Sequence, residues 1–324
     1  MALDVKVKID LKKPIGNSPF GYPLILTEAA SVAEYTECKS LDDVVKANYA
    51  TTSDVYKAAE LMFFQNNPPA KIGVMTATSG GAATALAGVA AKGWRQLVVV
   101  GVEDISDLVT YIATTTDKML FATVPAVAGL ADLGDSDRVI GFVHSNSLGS
   151  AALAGEAAGR APGSFTYKNL ILKGLEPEDL SDSEITAITD ANGITFVTKS
   201  GDNVTTEGKV MSGEYIDIID SKDYVITNLE YQTQKMLNVM GKIPYDNNGI
   251  AVLESAAVNV MNDAYNKGII ATNEDGTPGY TVDYATREET DAADRVARKY
   301  LGGHFSFKLA GAIHEVEITG EIEI

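Results

Sequence analysis

Three kinds of chemistry have candidate residues in this 324-residue chain, and each competes with a plainer job for the same side chains. Thr78-Ser79-Gly80-Gly81 follows an apolar run and opens a helical stretch, where backbone N–H groups can hold an anion and where Ser79 can equally serve as the N-cap. The stretch lacks the Gly-Lys-Ser/Thr ending of a phosphate loop and the spacing of a dinucleotide fingerprint. Glu103 and Asp104 end another apolar run as an acid–base pair, although Asp104 more simply caps the next helix. Asp132, Asp135 and Asp137 offer oxygens to a hard cation, but no closing bidentate Glu follows, so a solvated turn is expected. His144, His304 and His314 stand apart from Cys38 and from any serine nucleophile motif, and each is read as structural. His314 either bonds a neighbouring subunit or faces water. Cys38, among polar residues with only Lys39 beside it, reads as an inert thiol. No catalytic, cofactor-binding or metal-ligating set emerges.

Composition narrows the partners. Lys+Arg of 26 against Asp+Glu of 44 gives a formal charge of −18, which opposes phosphate backbones and anionic membranes. One cysteine excludes an internal disulfide and a multi-cysteine zinc site. No apolar run approaches the roughly 20 residues that span a bilayer, so no direct membrane insertion is expected. The first five residues lack the basic region and apolar block of a secretory leader, and export by that route is not expected.

The elements that must position these residues follow from periodicity. Residues 71–76, 96–102, 119–124 and 138–143 are short β-branched runs, and helical stretches at 79–92, 104–115 and 147–160 alternate with them. Apolar strands separated by helices predict a mostly parallel sheet covered on both faces. Residues 41–47 and 53–65 form a helical pair that covers it. From about residue 161 the alternation stops. A helix at 181–191 precedes a hairpin of 194–199 with 204–210, then long helices at 215–240 and 249–267, a strand at 280–284, a helix at 286–300 opened by a Thr286/Glu289 capping box, and a strand at 304–309.

Both ends alternate apolar and polar residues with period two. Leu3, Val5, Val7 and Ile9 share one face at the start, and Ile313, His314, Val316, Ile318 and Ile322 belong to the last strand. Such strands without a partner are used for assembly or have to be shielded. Pro14, Gly16, Pro19 and Gly21 lie in a Pro/Gly-rich stretch, residues 12–23, read as a hinge unable to form helix or inner strand. Gly311 is the matching hinge before the second arm.

Four stretches in the C-terminal half then stand in a telling order: residues 213–219, residues 242–250, Asp294-Arg295 with Arg298, and residues 309–314. In that order they resemble the tail sheath proteins of contractile bacteriophages and R-type bacteriocins, over roughly residues 211–324; the N-terminal half fits by architecture only. The resemblance implies a structural subunit without catalysis or cofactor, six to a ring, stacked around a tail tube. Its contraction would drive the tube through a target cell envelope. Partners would be neighbouring sheath subunits joined by strand addition, the tail tube protein, and baseplate and tail terminator proteins. Assembly would occur in the host bacterial cytoplasm, with release by lysis in a virion tail or tail-like particle. By order along the chain, the tube-facing segment is 286–300, which makes Arg287, Arg295, Arg298 and Lys299 candidate contacts. Against this, Asp291 with Arg295 and Asp294 with Arg298 are simple i,i+4 pairs within one helix.

The expected fold class is α/β, turning α+β in the C-terminal half: a mixed, mostly parallel sheet domain followed by a second α/β sheath core domain, with extended β-strand arms at both termini. Residues 1–22 form the N-terminal arm and hinge, 23–165 the α/β domain, 166–308 the C-terminal core domain and 309–324 the C-terminal arm. The competing reading is a cytosolic two-domain α/β enzyme binding a small anionic ligand at the strand-end turns near Thr78 and Glu103.

Overall fold

The computed structural model describes residues 20–319. Its main body is an eight-stranded sheet. β1 (Tyr22–Glu28) and β2 (Ala33–Cys38) are followed by the helices α1 (Leu41–Lys46) and α2 (Asp54–Phe63). Strands and helices then alternate as β3 (Ile72–Ala77), α3 (Ala82–Gly88), β4 (Trp94–Val100), α4 (Ser106–Ala113) and β5 (Met119–Val124). A 3-10 turn at Val127–Leu133 leads to β6 (Val139–Val143) and α5 (Gly149–Ala158). After α6 (Asp182–Asp190), the hairpin of β7 (Ile194–Lys199) and β8 (Asp202–Thr205) completes the sheet in the order β2-β3-β1-β4-β5-β6-β7-β8. The six strands from β3 to β7 run parallel, and only the two edges, β2 and β8, run antiparallel to their neighbours.

Each inner strand is apolar on both faces because each face is covered. Ile25, Val98, Phe121 and Phe142 pack with α1, α2 and α5, while Leu24, Leu97, Leu120 and Val139 pack with α3, α4 and the 3-10 turn. This is the continuous apolar strand of a sheet buried on both sides.

The sequence expectations differ from this body at three places. β1 lies in the middle of the sheet, so residues 12–23 are not wholly a linker and Gly21 is not a free hinge. Gly21 takes φ +94° and lies so close to the next strand that an added Cβ would meet the Arg95 Cβ at 2.8 Å. Pro23 is tolerated because the pairing with β4 shifts register between Tyr22 and Leu24, where a missing N–H interrupts nothing. Secondly, the boundary expected at 165/166 does not divide the sheet, since β7 pairs in parallel with β6 through Phe142–Ile194 and Val143–Thr195. Thirdly, Ser79 does not cap α3; Gly81 holds that position with no side-chain cap.

The rest of the chain builds on a long helix, α7 (Ile216–Met240), which packs against α8 (Asn247–Asn266). An antiparallel pair, β9 (Tyr280–Tyr284) and β10 (Gly303–Phe307), lies beside them, with the single turn α9 (Ala292–Val296) between its strands. A small core of Tyr224, Val225, Met261, Ala264, Ile269 and Ile270 joins the helices to this pair. The helix expected at 286–300 is thus only a fragment. Thr286 N–H and hydroxyl both donate to Glu289 at 2.7 and 2.8 Å, but they close a turn, and Arg298 at φ +57° breaks the chain out of helix.

Candidate functional site: a buried charge latch and the C-terminal arm

In an open parallel sheet, small ligands bind beyond the C-terminal ends of the strands. Here those ends are taken by the chain itself. The N–H groups of Gly80 and Ala82, where an anion would sit, donate to the Glu28 carboxylate at 3.0 and 3.2 Å. Asp104 accepts from the Ser106 N–H at 2.9 Å, which holds its carboxyl below the usual range, although the N-cap of α4 is Ile105 and not Asp104 as expected. His144 stacks on Phe142 at 5.6 Å; its Nδ1 accepts from Asn146 N–H at 2.9 Å, so Nε2–H donates to the Glu176 carbonyl at 3.0 Å. Burial pushes the Cys38 thiol up to about 11. Asp137 accepts from Ser212 at 2.5 Å, and among the described residues no three His, Cys, Asp or Glu side chains gather as metal ligands would.

The densest chemistry lies at the opposite, N-terminal ends of the central strands. Arg95 at the start of β4 and Arg138 just before β6 flank β5, and α7 brings Asp220 and Asp223, one turn apart, against them. Arg95 Nη2 donates to Asp220 at 2.6 Å and its Nη1 contacts Asp223 at 2.8 Å. Arg138 grips Asp223 with both nitrogens, Nη2 at 3.0 Å. Tyr167 donates to the second Asp220 oxygen at 3.1 Å, and Arg95 also donates to the Asp117 carbonyl at 2.9 Å. All four charged side chains are at most 9% exposed. Burial alone disfavours charge on Arg95, but the two carboxylates override it and raise its pKa further. Burial pushes the Asp220 carboxyl up against the pull of Arg95, and keeps the Tyr167 phenol protonated as a donor. The cluster is an internal latch that fastens α7 to the sheet.

Along α7, Ile218, Val225, Leu229, Met236 and Met240 recur at the seven- and four-residue spacing of one helical face, yet that face is buried only in part. Val225 is buried, whereas Met240 is 47% exposed and Val239 78%. Asp220, Ser221, Asp223 and Asn228 are buried instead, and hydrophobic periodicity has no means of finding them.

Beyond β10 the chain bridges back once, Leu309 to Ile270, and then runs through residues 311–319 without joining a strand. Ile313, Val316 and Ile318 are 85%, 75% and 89% exposed. His314 alone turns into the body. Its Nε2 lies 2.9 Å from the Thr166 hydroxyl and its Nδ1 3.2 Å from Glu207, with the Tyr215 ring edge-on at 4.9 Å. No side chain crowds the Cβ position of Gly311. Leu3, Val5, Val7, Ile9, Pro14, Gly16, Pro19 and Ile322 lie outside the described residues.

The four cationic candidates of the 286–300 segment are not equivalent. Arg287, Arg298 and Lys299 are exposed. Arg295 is half-buried, its Nη1 donating to the Arg287 carbonyl at 3.0 Å and to the Thr290 carbonyl, so it holds the turn together. Neither i,i+4 ion pair forms, since Asp291 caps α9 through the Ala293 N–H and the helix ends before Arg298.

Over its full length the chain is similar in fold to solved structures from contractile particles. A chain from the baseplate of the anti-feeding prophage matches with a TM-score of 0.75 at 14% identity, each chain covered at 100%. The contracted helical sheath of the same particle gives 0.74 at 12% identity, with 99% of each chain covered. This is the fold of a contractile tail sheath protein. The contracted sheath complex of the PVC extracellular contractile injection system has it too, with a TM-score of 0.72 at 11% identity over 100% of this chain and 98% of that one. In sequence, residues 216–322 match the C-terminal domain family described as E217 tail sheath protein gp31-like. That match begins at the first residue of α7, so the matched stretch includes the latch carboxylates and the β9–β10 pair. No curated protein matches the sequence.

Proposed function

We propose that this chain is the sheath subunit of a contractile injection system, a structural component without catalytic activity. In this reading, copies stack as six-membered rings around a tail tube. The observation that carries it is the C-terminal segment, which holds three large apolar side chains in water next to an incomplete sheet. A two-stranded antiparallel pair is marginal by itself. Among the described residues no third strand covers either edge of β9–β10, and Phe305 is left 43% exposed. The arm of another copy supplies the missing strand, and each Ile or Val it buries fully there is worth about 1.5–3 kcal/mol. The N-terminal arm, with Leu3, Val5, Val7 and Ile9 on one face, serves the same exchange.

Strand addition suits a sheath because its backbone bonds persist while the bodies turn. Contraction is then passage from a metastable packing to one that buries more surface, with the energy stored at assembly and no nucleotide consumed. The tail tube, baseplate and tail terminator are the further partners. Arg287, Arg298 and Lys299 are the tube contacts of choice, since exposed ion pairs of about 0–1 kcal/mol give a grip that can be released. The charge of −18 speaks against a nucleic-acid partner, and no helix among the described residues is long and apolar enough to cross a membrane. Assembly in the host cytoplasm and release by lysis complete the reading.

The test is negative-stain microscopy of the purified chain with and without residues 311–324. Long hollow tubes from the full chain, lost on truncation with the far-UV circular dichroism unchanged, are expected. Normal tubes from the truncated chain would remove the arm's role, and a compact ligand-binding dimer would favour the enzyme reading.

A further inference from the structure

We infer that His314 is the positioning residue of the C-terminal arm, clamping its root to the sheet body so that the strand leaves the subunit at one place and in one direction. The inference rests on the sheath reading for its purpose and on geometry for its substance. In sequence the arm issues from β10, part of the β9–β10 pair on α7 and α8. In space its only polar side-chain tie among the described residues 311–319 is to the sheet body. Glu207 and Thr166, which receive His314, belong to the segments that carry β8 into α7 and α5 towards α6.

The clamp is built from groups already held. Glu207 is 7% exposed at its side chain, accepts from the Gly208 N–H at 3.0 Å, and has Lys168 Nζ at 3.7 Å. Its neighbour Thr206 donates its N–H to Thr195 of β7 at 2.9 Å, and Gly208 accepts from the Ile216 N–H at the start of α7 at 3.0 Å. The carboxylate is therefore fixed to the sheet on one side and to the long helix on the other. An ionised Glu207 can only accept, so His314 carries its proton on Nδ1 and accepts at Nε2 from the Thr166 hydroxyl. Tyr215, the N-cap of α7, closes the ring's third side edge-on. The residues around it have no such seat: Ile313 and Val316 are 85% and 75% exposed. The clamp residues Glu207, Tyr215 and His314 line a cavity of about 560 Å³ together with Gly311, Ala312 and Glu315.

Tension on a lent arm thus enters the subunit at Glu207 and passes directly to the sheet and α7, bypassing the small β9–β10 pair. A ring of subunits joined this way transmits rotation between bodies.

The test uses the full chain with spin labels at Glu60→Cys on α2 and Ile318→Cys in the arm, Cys38 being fully buried. Dipolar distance distributions are recorded on the unassembled subunit, and tube formation is followed separately. A narrow distribution is expected with His314 present. His314→Ala and Glu207→Ala should broaden it at least twofold and raise the concentration needed for tubes about tenfold. Thr166→Val should broaden it less, and Glu207→Gln, which keeps an acceptor oxygen, should stay near the parent width. Unchanged widths in His314→Ala, or a parent distribution already broad, would overturn the clamp. A narrow parent distribution that broadens in the variants, from a chain that never forms tubes, would support the clamp and refute the sheath reading.

Discussion

Replacing Asp223 by Ala removes the carboxylate that faces two guanidinium groups at once. Its side chain is 3% exposed, against 4% for Arg95 and 9% for Arg138, so solvent cannot take its place. Among the described residues Arg138 then keeps no ion pair, and Arg95 keeps Asp220 alone. Breaking one partner out of a buried ion pair costs about 3–5 kcal/mol, because the remaining charge stays desolvated. That is a large part of the roughly 5–15 kcal/mol that holds a typical protein folded. The exposed Lys57–Asp54 pair, with side chains 51% and 57% accessible, gives the control: Lys57→Ala should cost about 0–1 kcal/mol. The chain carries its own probe, since its single tryptophan, Trp94, is 1% exposed and directly precedes Arg95. Urea unfolding followed by Trp94 fluorescence should show the midpoint falling in Asp223→Ala with little change in slope. Asp223→Asn, which keeps an acceptor but no charge, should lie between variant and parent. An Asp223→Ala loss below about 1 kcal/mol would mean that the latch is not a desolvated network, and the argument that α7 is fastened through charge would fail.

Two further outcomes follow from the body. In α5, a Cβ at Gly155 would stand 2.5 Å from the Met62 Cα and 2.9 Å from its carbonyl oxygen, so Gly155→Ala must push α5 off α2 and should cost about 1–3 kcal/mol, read as a lower melting temperature. Lys71 and Tyr22 donate to Glu37, both at 2.7 Å, and hold its carboxyl below the ordinary 4.5. A depressed folded-state pKa contributes stability that is present above the unfolded value and lost as pH falls through the folded one; acid unfolding below 4.5 should therefore be shallower in Glu37→Gln than in the parent.

The parts legible in the sequence are those where a repeating pattern and a local terminator agree. Residues 119–124 and 280–284 come out as strands with the bounds the structure gives, and the 41–47 and 53–65 helices differ only at their ends. β1 escaped because Gly21 and Pro23 punctuate its start, and the cost of both is absorbed by a register shift that only the neighbouring strand reveals. The segment 286–300 misled through a good local signal: its capping bonds form, but too few apolar contacts lie behind them to propagate a helix. The latch was hidden for a different reason. Arg95, Arg138, Asp220 and Asp223 are ordinary surface residues by type, and they become a site only when β4, β6 and α7 meet across long stretches of chain, 85 residues for Arg138–Asp223 and 125 for Arg95–Asp220. His314 was visible as a candidate with two readings, one of them a bond to a neighbour. Within one subunit a third holds, a bond to its own body.

The two halves of the molecule are stabilised by unlike means, and this difference is what the proposed role of sheath subunit needs. From β1 to the middle of α7, most large apolar residues are buried, with Val32, Val45, Phe64, Val127 and Ile171 the exposed exceptions, and the charges that enter the interior are matched in pairs. Past Val225 the balance reverses: Val239, Leu301, Phe305, Ile313, Val316 and Ile318 are exposed between 43% and 89%. A chain that left this much apolar surface open for no purpose would lose stability and invite non-specific association. Segments that must rearrange are drawn from the low-stability end of a structure by necessity. On the proposed reading, a subunit that lends and receives strands keeps that end open, while the Arg–Asp latch prevents the openness from spreading along α7 into the sheet. On this argument, loosening the latch should impair assembly even where the arm is untouched, because a strand exchanged between bodies conveys motion only if each body moves as one piece.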